Sequence, residues 1–424
     1  MISGQRAIYN SAMNAFVRPF AALRPDAEHA AAVVAPPYDV VSTEEARNLV
    51  VGRPNSFLHI SRPEIEFPPE TDPYSDIVHA RAGENLERLK VLGLLVRDEL
   101  PAYYVYKLKM EEHEQTGIAL TVSVDAYEAN RVRKHELTRP TKEDDRVRNM
   151  VSLNTQTGPV LSVHRANQSI KELLDRIKTE TALFEVTGQH DVVHTIWRVD
   201  DAETVAAISA KLNAMPAIYI ADGHHRSAAA ARVAAERRAP QSSGQESHDY
   251  FLTVVFPHDE MQIFDYNRVV KDLNGLSVPE LLRGLAEDFD VEASDGSVRP
   301  EEPATFGMFV GDQWYRLALR TELIPTDDPV AQLDVSLLQD RILTPLLGVG
   351  DPRTDSRVDF VGGVRGLEEL ERRVQKGEQA IAFSLYPTRM EQLMAVADAQ
   401  KLMPPKSTWF EPKLADGLLS HVLD

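Results

Sequence analysis

The segment 218–227 constrains the fold of this chain more than any other, because a strand pattern runs directly into a helix pattern. Its first four residues are mostly apolar and suit a buried strand, and Asp222 with Gly223 forms a dipeptide typical of turns. An alanine-rich run as far as Arg238, strongly helical in composition, follows at once. The segment therefore predicts a strand, a tight turn and a helix.

The predicted turn has the composition of a phosphate-binding loop. A helix N-terminus presents backbone N–H groups and the positive end of the helix dipole, and Gly223 lets a ligand approach the main chain closely. His224, His225 and Arg226 add side-chain donors suited to phosphate oxygens. The alternative is an ordinary turn before a helix, in which the same three residues form only a polar first helical turn.

Composition limits the classes of function. The 424 residues suffice for two or three domains, and 43% hydrophobic with 26% charged residues is typical of a globular protein with a packed core. The absence of cysteine excludes disulfides, thiolate nucleophiles and cysteine-bound metals. Any metal would therefore need oxygen or imidazole ligands.

Charge and hydropathy narrow the expected partners. The formal net charge of −19 opposes non-specific nucleic-acid binding, which depends on Lys and Arg neutralising phosphates. No run of about 18 apolar residues is present that would cross a bilayer. We expect a cytoplasmic protein with a small-molecule ligand and no membrane or nucleic-acid partner, whose copies associate with one another.

A proline-stiffened loop lies near the start of the chain. Pro36 and Pro37 fix an extended backbone and would hold Tyr38 and Asp39 in a defined orientation. The alternative makes Asp39 the N-cap of a helix that begins near Thr43.

A dense polar block follows the clearest strand signal. Residues 102–110 and 117–127 are rich in aromatic and β-branched side chains and predict an antiparallel hairpin. The block after the hairpin contains His135 and Glu136, which would form a catalytic wall on a rigid scaffold. The alternative is a solvated loop that leads into a helix with Thr141 as its N-cap.

The remaining patterns predict an α/β protein with mixed sheets. Residues 57–60 suggest a strand and residues 74–92 a helix, and strands alternate with helices from about residue 265 onward. We divide the chain into a region 1–260 that holds the phosphate-binding turn and a C-terminal α/β region 261–424, whose tail returns to the site.

Four blocks of sequence resemble, in their order and spacing, the bacterial and archaeal domain-of-unknown-function family 1015 over nearly the entire chain. The blocks are 36–40, 135–138 with Asp145 and Arg146, 221–226, and 403–408 with Phe410 and 412–413. That family is in turn similar to the ParB/sulfiredoxin-like superfamily, whose members share a phosphate-binding turn at a helix start. Residues 223–226 match that turn. The resemblance implies a ParB/sulfiredoxin-like phosphate-binding core with an additional α/β subdomain.

The superfamily contains several activities, and the composition of this chain argues against two of them. Sulfiredoxin chemistry needs a thiol, and this chain has none. A chromosome-partitioning role would require DNA binding, which the net charge and the lack of a basic helix-turn-helix oppose. The small-molecule phosphotransferase branch, represented by free serine kinases, remains.

The resemblance implies phosphoryl transfer between a nucleotide, ATP or ADP, and a small hydroxylated metabolite. L-Serine or phosphoserine is the expected substrate, so the enzyme would be a free serine kinase or, in the other direction, a phosphoserine phosphatase or transferase. The alternative, from a different class, is a regulatory or scaffold protein that senses nucleotide without turnover.

Residue roles follow from what phosphoryl transfer requires, namely a phosphate anchor, charge neutralisation and a base. The anchor is assigned to Gly223, His224, His225, Arg226, Lys406, Ser407, Thr408 and Lys413. Glu136, Asp39 and His225 are the catalytic candidates. Mg²⁺ is expected from the reaction class, with Asp222 as a ligand. The adjacent pair His224 and His225 is a poor zinc site, because no spaced third ligand is evident.

Overall fold

The computed structural model describes residues 15–239 and 242–424, and these form two compact units. The first unit comprises the chain up to Met261 together with Pro412–Asp424, and the second comprises Gln262–Glu411. The C-terminal segment therefore belongs to the first unit.

The strands are numbered in chain order. They are β1 (Val17–Arg18), β2 (Ala22–Arg24), β3 (Val96–Arg97), β4 (Tyr103–Met110), β5 (His113–Ser123), β6 (Val132–Arg133), β7 (Thr155–Gln156), β8 (Val160–His164), β9 (Phe184–Thr187), β10 (Val193–Val199), β11 (Ile218–Asp222), β12 (Tyr250–Pro257), β13 (Gln262–Phe264), β14 (Tyr266–Val270), β15 (Phe289–Ser294), β16 (Thr305–Val310), β17 (Gln313–Leu319), β18 (Val358–Gly362), β19 (Ile381–Leu385), β20 (Trp409–Glu411) and β21 (Ser420–Val422).

The helices are numbered in the same way. They are α1 (Ala30–Val33), α2 (Thr43–Leu49), α3 (Leu58–Ser61), α4 (Asp76–Val91), α5 (Val124–Glu128), α6 (Pro140–Leu153), α7 (Gln168–Ile177), α8 (Ala202–Asn213), α9 (His224–Arg237), α10 (Val278–Leu285), α11 (Asp334–Leu338), α12 (Glu368–Gln375) and α13 (Met390–Asp398). None of the helices in the described ranges combines the length and the apolar character needed to span a bilayer.

The first unit is built on a mixed sheet, which confirms the α/β class. Its strand order is β6-β11-β8-β12-β5-β4-β10-β9, with β1 added against β5. β11 pairs parallel with β6 and antiparallel with β8, whereas β12 pairs parallel with β8. A smaller sheet, β3-β2-β21-β7, joins the C-terminal strand to the N-terminal part of the chain. The predicted hairpin is confirmed by the antiparallel pairing of β4 and β5, but the second strand ends at Ser123 and residues 124–127, predicted as strand, belong to helix α5.

The second unit has its own antiparallel sheet, in the order β15-β17-β16-β19-β14-β18, and a separate pair formed by β13 and β20. Its core includes Val269, Phe309, Trp314 and Leu370. The alternation of strands and helices expected from about residue 265 is thus present.

Helix α9 packs against the first sheet through small side chains. Ala229, Ala230, Val233 and Ala234 are all buried, and their spacing places them on one face of the helix. Because alanine adds little bulk, the helix axis lies close to the sheet. This packing fixes the direction in which the helix N-terminus points.

Two local expectations are wrong. Residues 57–60 do not form a strand, because α3 begins at Leu58 and buries Leu58 and Ile60. A short apolar run without alternation fits a buried helix turn as well as a strand. Thr141 is also not an N-cap, since α6 begins at Pro140 with Arg139 in the N-cap position.

The alternative role for Asp39 as a helix cap is excluded as well. Helix α2 is capped by Ser42, whose hydroxyl accepts the backbone N–H of Glu45 at 3.2 Å. The Glu45 carboxylate accepts the Ser42 N–H at 2.7 Å in return, which completes a capping box. Asp39 lies outside this arrangement with an exposed side chain.

Candidate functional site

The candidate site begins at the turn between β11 and α9. Gly223 has φ of +102°, and a Cβ atom added there would lie 3.0 Å from Nε of Arg226. Helix α9 has no side-chain cap at its N-terminus and no acidic residue in its first turn. The turn therefore needs glycine for its backbone conformation and for the close approach of the Arg226 guanidinium.

Arg226 folds back across the turn and is only 6% exposed. Its guanidinium donates to the Pro159 carbonyl through Nη1 and to Asp222 through Nη2 at 3.4 Å. The buried Nε has no hydrogen-bond partner among the described residues. Burial alone would lower the pKa of Arg226, but Asp222, Asp39 and Tyr38 outweigh it and raise the pKa. The side chain is therefore buried against the turn and is not exposed on its surface.

Asp222 sits between two cations. Its Oδ2 lies 3.4 Å from Arg226 Nη2 and 3.7 Å from Lys413 Nζ, so the C-terminal segment reaches the turn. Burial would raise the pKa of Asp222, but Lys413 and Arg226 overcome that effect and lower it to about 2. Asp222 is therefore ionised and already neutralised at neutral pH.

The proline-stiffened loop also reaches the turn. The Arg146 guanidinium lies 4.0 Å from the centre of the Tyr38 ring, and the Asp39 charge acts on both Arg226 and His225. Arg146 is buried and pairs with Asp145, with Nη2 at 2.7 Å from Oδ2. Two blocks about a hundred residues apart in sequence thus meet in the folded unit.

Asp416 is a residue of this site that the sequence analysis missed. It is 2% exposed, forms an isolated β-bridge with Ala35, and lies beside Arg226. A Cβ atom on Gly158 would lie 3.3 Å from both Arg226 Cδ and Asp416 Oδ1. Burial raises the pKa of Asp416 to about 7, against the opposing effect of Arg226. The only sequence signal was an Asp-Gly pair three residues beyond Lys413.

His225 lies at the edge of the site. Its Nε2 accepts the backbone N–H of Arg139 at 3.0 Å, so the other ring nitrogen carries the proton in the neutral form. Burial lowers the pKa of His225, while Asp39 opposes that change. The side chain is half-buried and neutral at pH 7, and it contributes no positive charge to an anchor.

His135 and Glu136 lie against His224. The His135 and His224 rings are 4.4 Å apart and nearly perpendicular, and His224 Nδ1 is 3.9 Å from a Glu136 carboxylate oxygen. Burial lowers the pKa of His135 to about 4 and takes the pKa of His224 well below its ordinary value. Both imidazoles are therefore neutral at pH 7. These three side chains place two imidazoles and a carboxylate at metal-binding distance from one another.

A polar cavity of about 170 Å³ adjoins the site, because Tyr38, Asp145 and Arg146 also line it. The other lining residues are Thr43, Ser61, Arg62, Pro63, Glu64, Pro73, Tyr74, His79, Lys142 and Asn149.

Three buried side chains in that lining carry polar atoms that lack hydrogen-bond partners within the described ranges. The atoms are Ser61 Oγ, both ring nitrogens of His79 and Asn149 Nδ2. Such atoms are costly to leave unpaired, so the cavity suits a small polar occupant.

The predicted tail block is divided between the units. Lys413 lies in the first unit at Asp222, whereas Lys406, Ser407 and Thr408 lie in the second. There the Ser407 hydroxyl donates to the Pro404 carbonyl at 2.6 Å, and Lys406 Nζ lies 5.6 Å from the centre of the Tyr266 ring. The roles of these three residues in an anchor remain predictions.

These features define a two-unit α/β protein whose first unit carries a strand–turn–helix site rich in paired charges. The chain belongs to the family described as "Protein of unknown function (DUF1015)", whose match covers residues 17–336. No curated protein matches the chain.

Solved structures provide distant likenesses. A free serine kinase in complex with AMP is 13% identical with a TM-score of 0.34, and the match covers 72% of this chain and 89% of that one. A conserved hypothetical protein from Pyrococcus furiosus is 13% identical with a TM-score of 0.34, covering 70% and 93%. SbnI with a C-terminal truncation, from Staphylococcus aureus, is 12% identical with a TM-score of 0.36, covering 70% and 85%. Likenesses this weak carry no argument about chemistry, which depends on the residues themselves.

Proposed function

We propose that this protein transfers a phosphoryl group between a nucleotide, ATP or ADP, and a small hydroxylated metabolite. The proposal rests on the start of α9 at Gly223, which has no side-chain cap. Arg226 Nε lies beside this turn, is buried and has no hydrogen-bond partner in the described residues. A phosphate at this turn would accept from the backbone N–H groups of the first helical turn and from Arg226.

The cations around the turn are already paired with carboxylates, so a phosphate would replace or share those carboxylates and would not meet unpaired positive charge. Arg226 and Lys413 share the Asp222 carboxylate, and Arg146 pairs with Asp145. An incoming phosphate would share these cations, so binding depends on the fixed backbone donors as much as on net charge.

The metabolite would occupy the polar cavity beside Tyr38. Lys142 in the lining suits a carboxylate, while Glu64 and Asp145, which already pair with Arg62 and Arg146, would share an ammonium group with those arginines. A small hydroxylated amino acid such as L-serine has this combination of groups, and it is also the substrate that the sequence resemblance implies. The volume of about 170 Å³ fits a ligand of this size.

The chemical step needs a proton acceptor. The metabolite hydroxyl oxygen forms the new bond to phosphorus, the bond to the bridging oxygen of the nucleotide breaks, and the hydroxyl proton passes to a carboxylate. Asp39 and Glu136 are exposed carboxylates on loops at the site, and either can serve as this base. Transfer in reverse, from phosphoserine to the nucleotide, would make the protein a transferase, and transfer from phosphoserine to water would make it a phosphatase.

Asp222 does not fit the role of a magnesium ligand. Its carboxylate is engaged by Arg226 and Lys413, which leaves little negative charge for a divalent cation. If Mg²⁺ takes part, it would enter with the nucleotide phosphates.

The test follows turnover and binding separately. The purified protein is incubated with Mg²⁺, ATP or ADP and L-serine, and in parallel with phosphoserine and ADP, while phosphorus NMR follows transfer. We expect new phosphorus resonances in at least one mixture and a nucleotide-dependent rise in melting temperature. Stabilisation without turnover would overturn the enzyme proposal in favour of a nucleotide sensor, and the absence of both would overturn nucleotide binding.

Asp39→Asn provides the matched variant. If Asp39 is the base, the substitution lowers turnover by about 100-fold while nucleotide stabilisation persists, because a general base typically contributes 100-fold or more. Unchanged turnover would assign the base role to another group.

A further inference from the structure

We propose that His135, Glu136 and His224 bind a divalent transition-metal ion. This site is separate from the magnesium role considered above, and the inference does not depend on phosphoryl transfer. The three residues come from two distant segments, which explains why spacing within the pair His224 and His225 gave no third ligand.

The distances suit a metal centre once the ligands move closer and His224 Nε2 gives up the backbone N–H of His135, which it accepts at 3.4 Å. One ligand atom from each residue lies within 4.8 Å of the other two. Coordination at about 2.0–2.2 Å places ligand atoms about 3.0–3.5 Å apart, so the three groups must close by up to about 2 Å. Glu136 is exposed and sits on a loop, which allows its carboxylate to make most of that movement.

His135 is already oriented as a ligand. One ring nitrogen hydrogen-bonds the Ile220 backbone, and Nδ1 is buried with no hydrogen-bond partner in the described part of the chain. Metal-binding histidines typically donate their other ring N–H to a carbonyl or carboxylate, which fixes the tautomer and aims the free lone pair. A buried lone pair without a partner is costly, and a bound ion would remove that cost.

Nearby charges also favour a cation. Glu136 supplies one negative charge, and Asp222 acts electrostatically on both histidines. Lys134 opposes a cation, because its charge acts on His224, and its ammonium lies over the Tyr127 ring at 4.1 Å from the ring centre. The cluster therefore has one carboxylate, that of Glu136, as its third ligand, whereas the Asp222 carboxylate is already paired with Arg226 and Lys413.

The ligand set selects the kind of ion. Two imidazoles and one carboxylate suit Zn²⁺, Co²⁺ and related ions, whereas Mg²⁺ prefers oxygen ligands throughout. Three protein ligands leave at least one coordination position for water or for a ligand oxygen.

The experiment uses the full-length protein stripped with EDTA and dialysed. Calorimetric titration with Zn²⁺ should give one site per chain, and Co²⁺ should produce visible d–d absorption bands that Zn²⁺ abolishes and Mg²⁺ does not. Because Glu136 is exposed, Glu136→Gln should fold normally and weaken Zn²⁺ binding at least tenfold. His135→Ala and His224→Ala should abolish the Co²⁺ bands.

The control variant changes a residue in a second cluster of candidate metal ligands. Glu246, His248 and Asp249 also lie at metal-binding distance from one another, although both carboxylates are already engaged. The Asp249 carboxylate accepts from Arg238 Nε and from the Glu246 backbone N–H, and the Glu246 carboxylate accepts from the hydroxyls of Ser242 and Ser243. His248→Gln should bind Zn²⁺ as the parent does. Loss of binding in His248→Gln with retention in Glu136→Gln would overturn the proposal, as would the absence of any Zn²⁺ binding or Co²⁺ band in the parent protein. Failure of nucleotide turnover would leave these readouts unaffected.

Discussion

Arg226 joins the site to the core of the first unit. Its guanidinium is buried at the turn and donates hydrogen bonds to the Pro159 carbonyl and to Asp222. Asp416 lies close by. At this scale the residue types were predictable from sequence, but their exposure was not. Because Arg226 is buried, it has a structural role in the site in addition to its proposed role in binding phosphate.

Arg226→Ala should destabilise the protein by about 3 kcal/mol, because it leaves buried carboxylates without their main counter-charge. Urea unfolding at pH 7 measures the change. Arg232→Ala is the matched control, since this arginine of the same helix is largely solvated and pairs with Glu143 and Asp144. The control should change stability by less than about 1 kcal/mol. Equal effects of the two substitutions would contradict a structural role for Arg226.

Asp416 makes a pH-dependent contribution. Its folded-state pKa of about 7 lies above the ordinary value near 3.8, so between these pH values the folded state holds a proton that the unfolded state has lost. The contribution of this carboxyl to stability therefore falls as pH rises from about 4 to 7.

Asp416→Asn should remove that fall. Relative to the parent, the variant should gain free energy of unfolding as pH rises from 4.5 to 8, at about 1.4 kcal/mol for each pKa unit realised. Urea titrations of both proteins at several pH values give the difference, which cancels the opposing titration of the buried histidines. A pH-independent difference would show that Asp416 is ionised throughout.

At the scale of elements, the strand–turn–helix of β11, Gly223 and α9 is the best-predicted part of the chain. The apolar run, the Asp-Gly pair and the alanine-rich segment each act locally, so their elements begin and end close to the expected residues. The polar block that contains His135 could not be placed in the same way, because its partners lie in another element.

Gly223→Ala should destabilise the protein by about 1–2 kcal/mol, because alanine at positive φ is strained and its Cβ would contact the Arg226 guanidinium. Thermal unfolding measures the loss, and nucleotide-dependent stabilisation should fall with it. Gly83→Ala in α4 is the control. Its added Cβ meets nothing closer than 3.4 Å, and alanine is the better helix former, so stability should stay equal or rise slightly. A neutral Gly223→Ala would show that the turn tolerates a side chain.

At the scale of the molecule, the chain forms two units that each have a core of their own. Leu86 is buried in the core of the first unit, and Leu370 is buried in the core of the second unit. Each core is therefore expected to respond to its own substitutions.

Leu370→Ala should cost about 2–5 kcal/mol and accelerate amide exchange within 262–411, because the cavity weakens that core. Hydrogen exchange with mass spectrometry locates the effect. Leu86→Ala should produce the reverse pattern, with faster exchange in the first unit. Faster exchange over both units in either variant would contradict separate cores.

The sequence by itself determined the mixed α/β class, the hairpin of β4 and β5, the turn at Gly223 and the family, because these depend on local periodicity, turn chemistry and ordered motifs. Tertiary structure alone decided that Arg226 is buried, that Asp416 lies beside it, and that His135 and Glu136 lie against His224. Those contacts join segments far apart in the chain. Burial and long-range pairing arise only when the sheet and the C-terminal segment pack together, and no local pattern in the sequence records them.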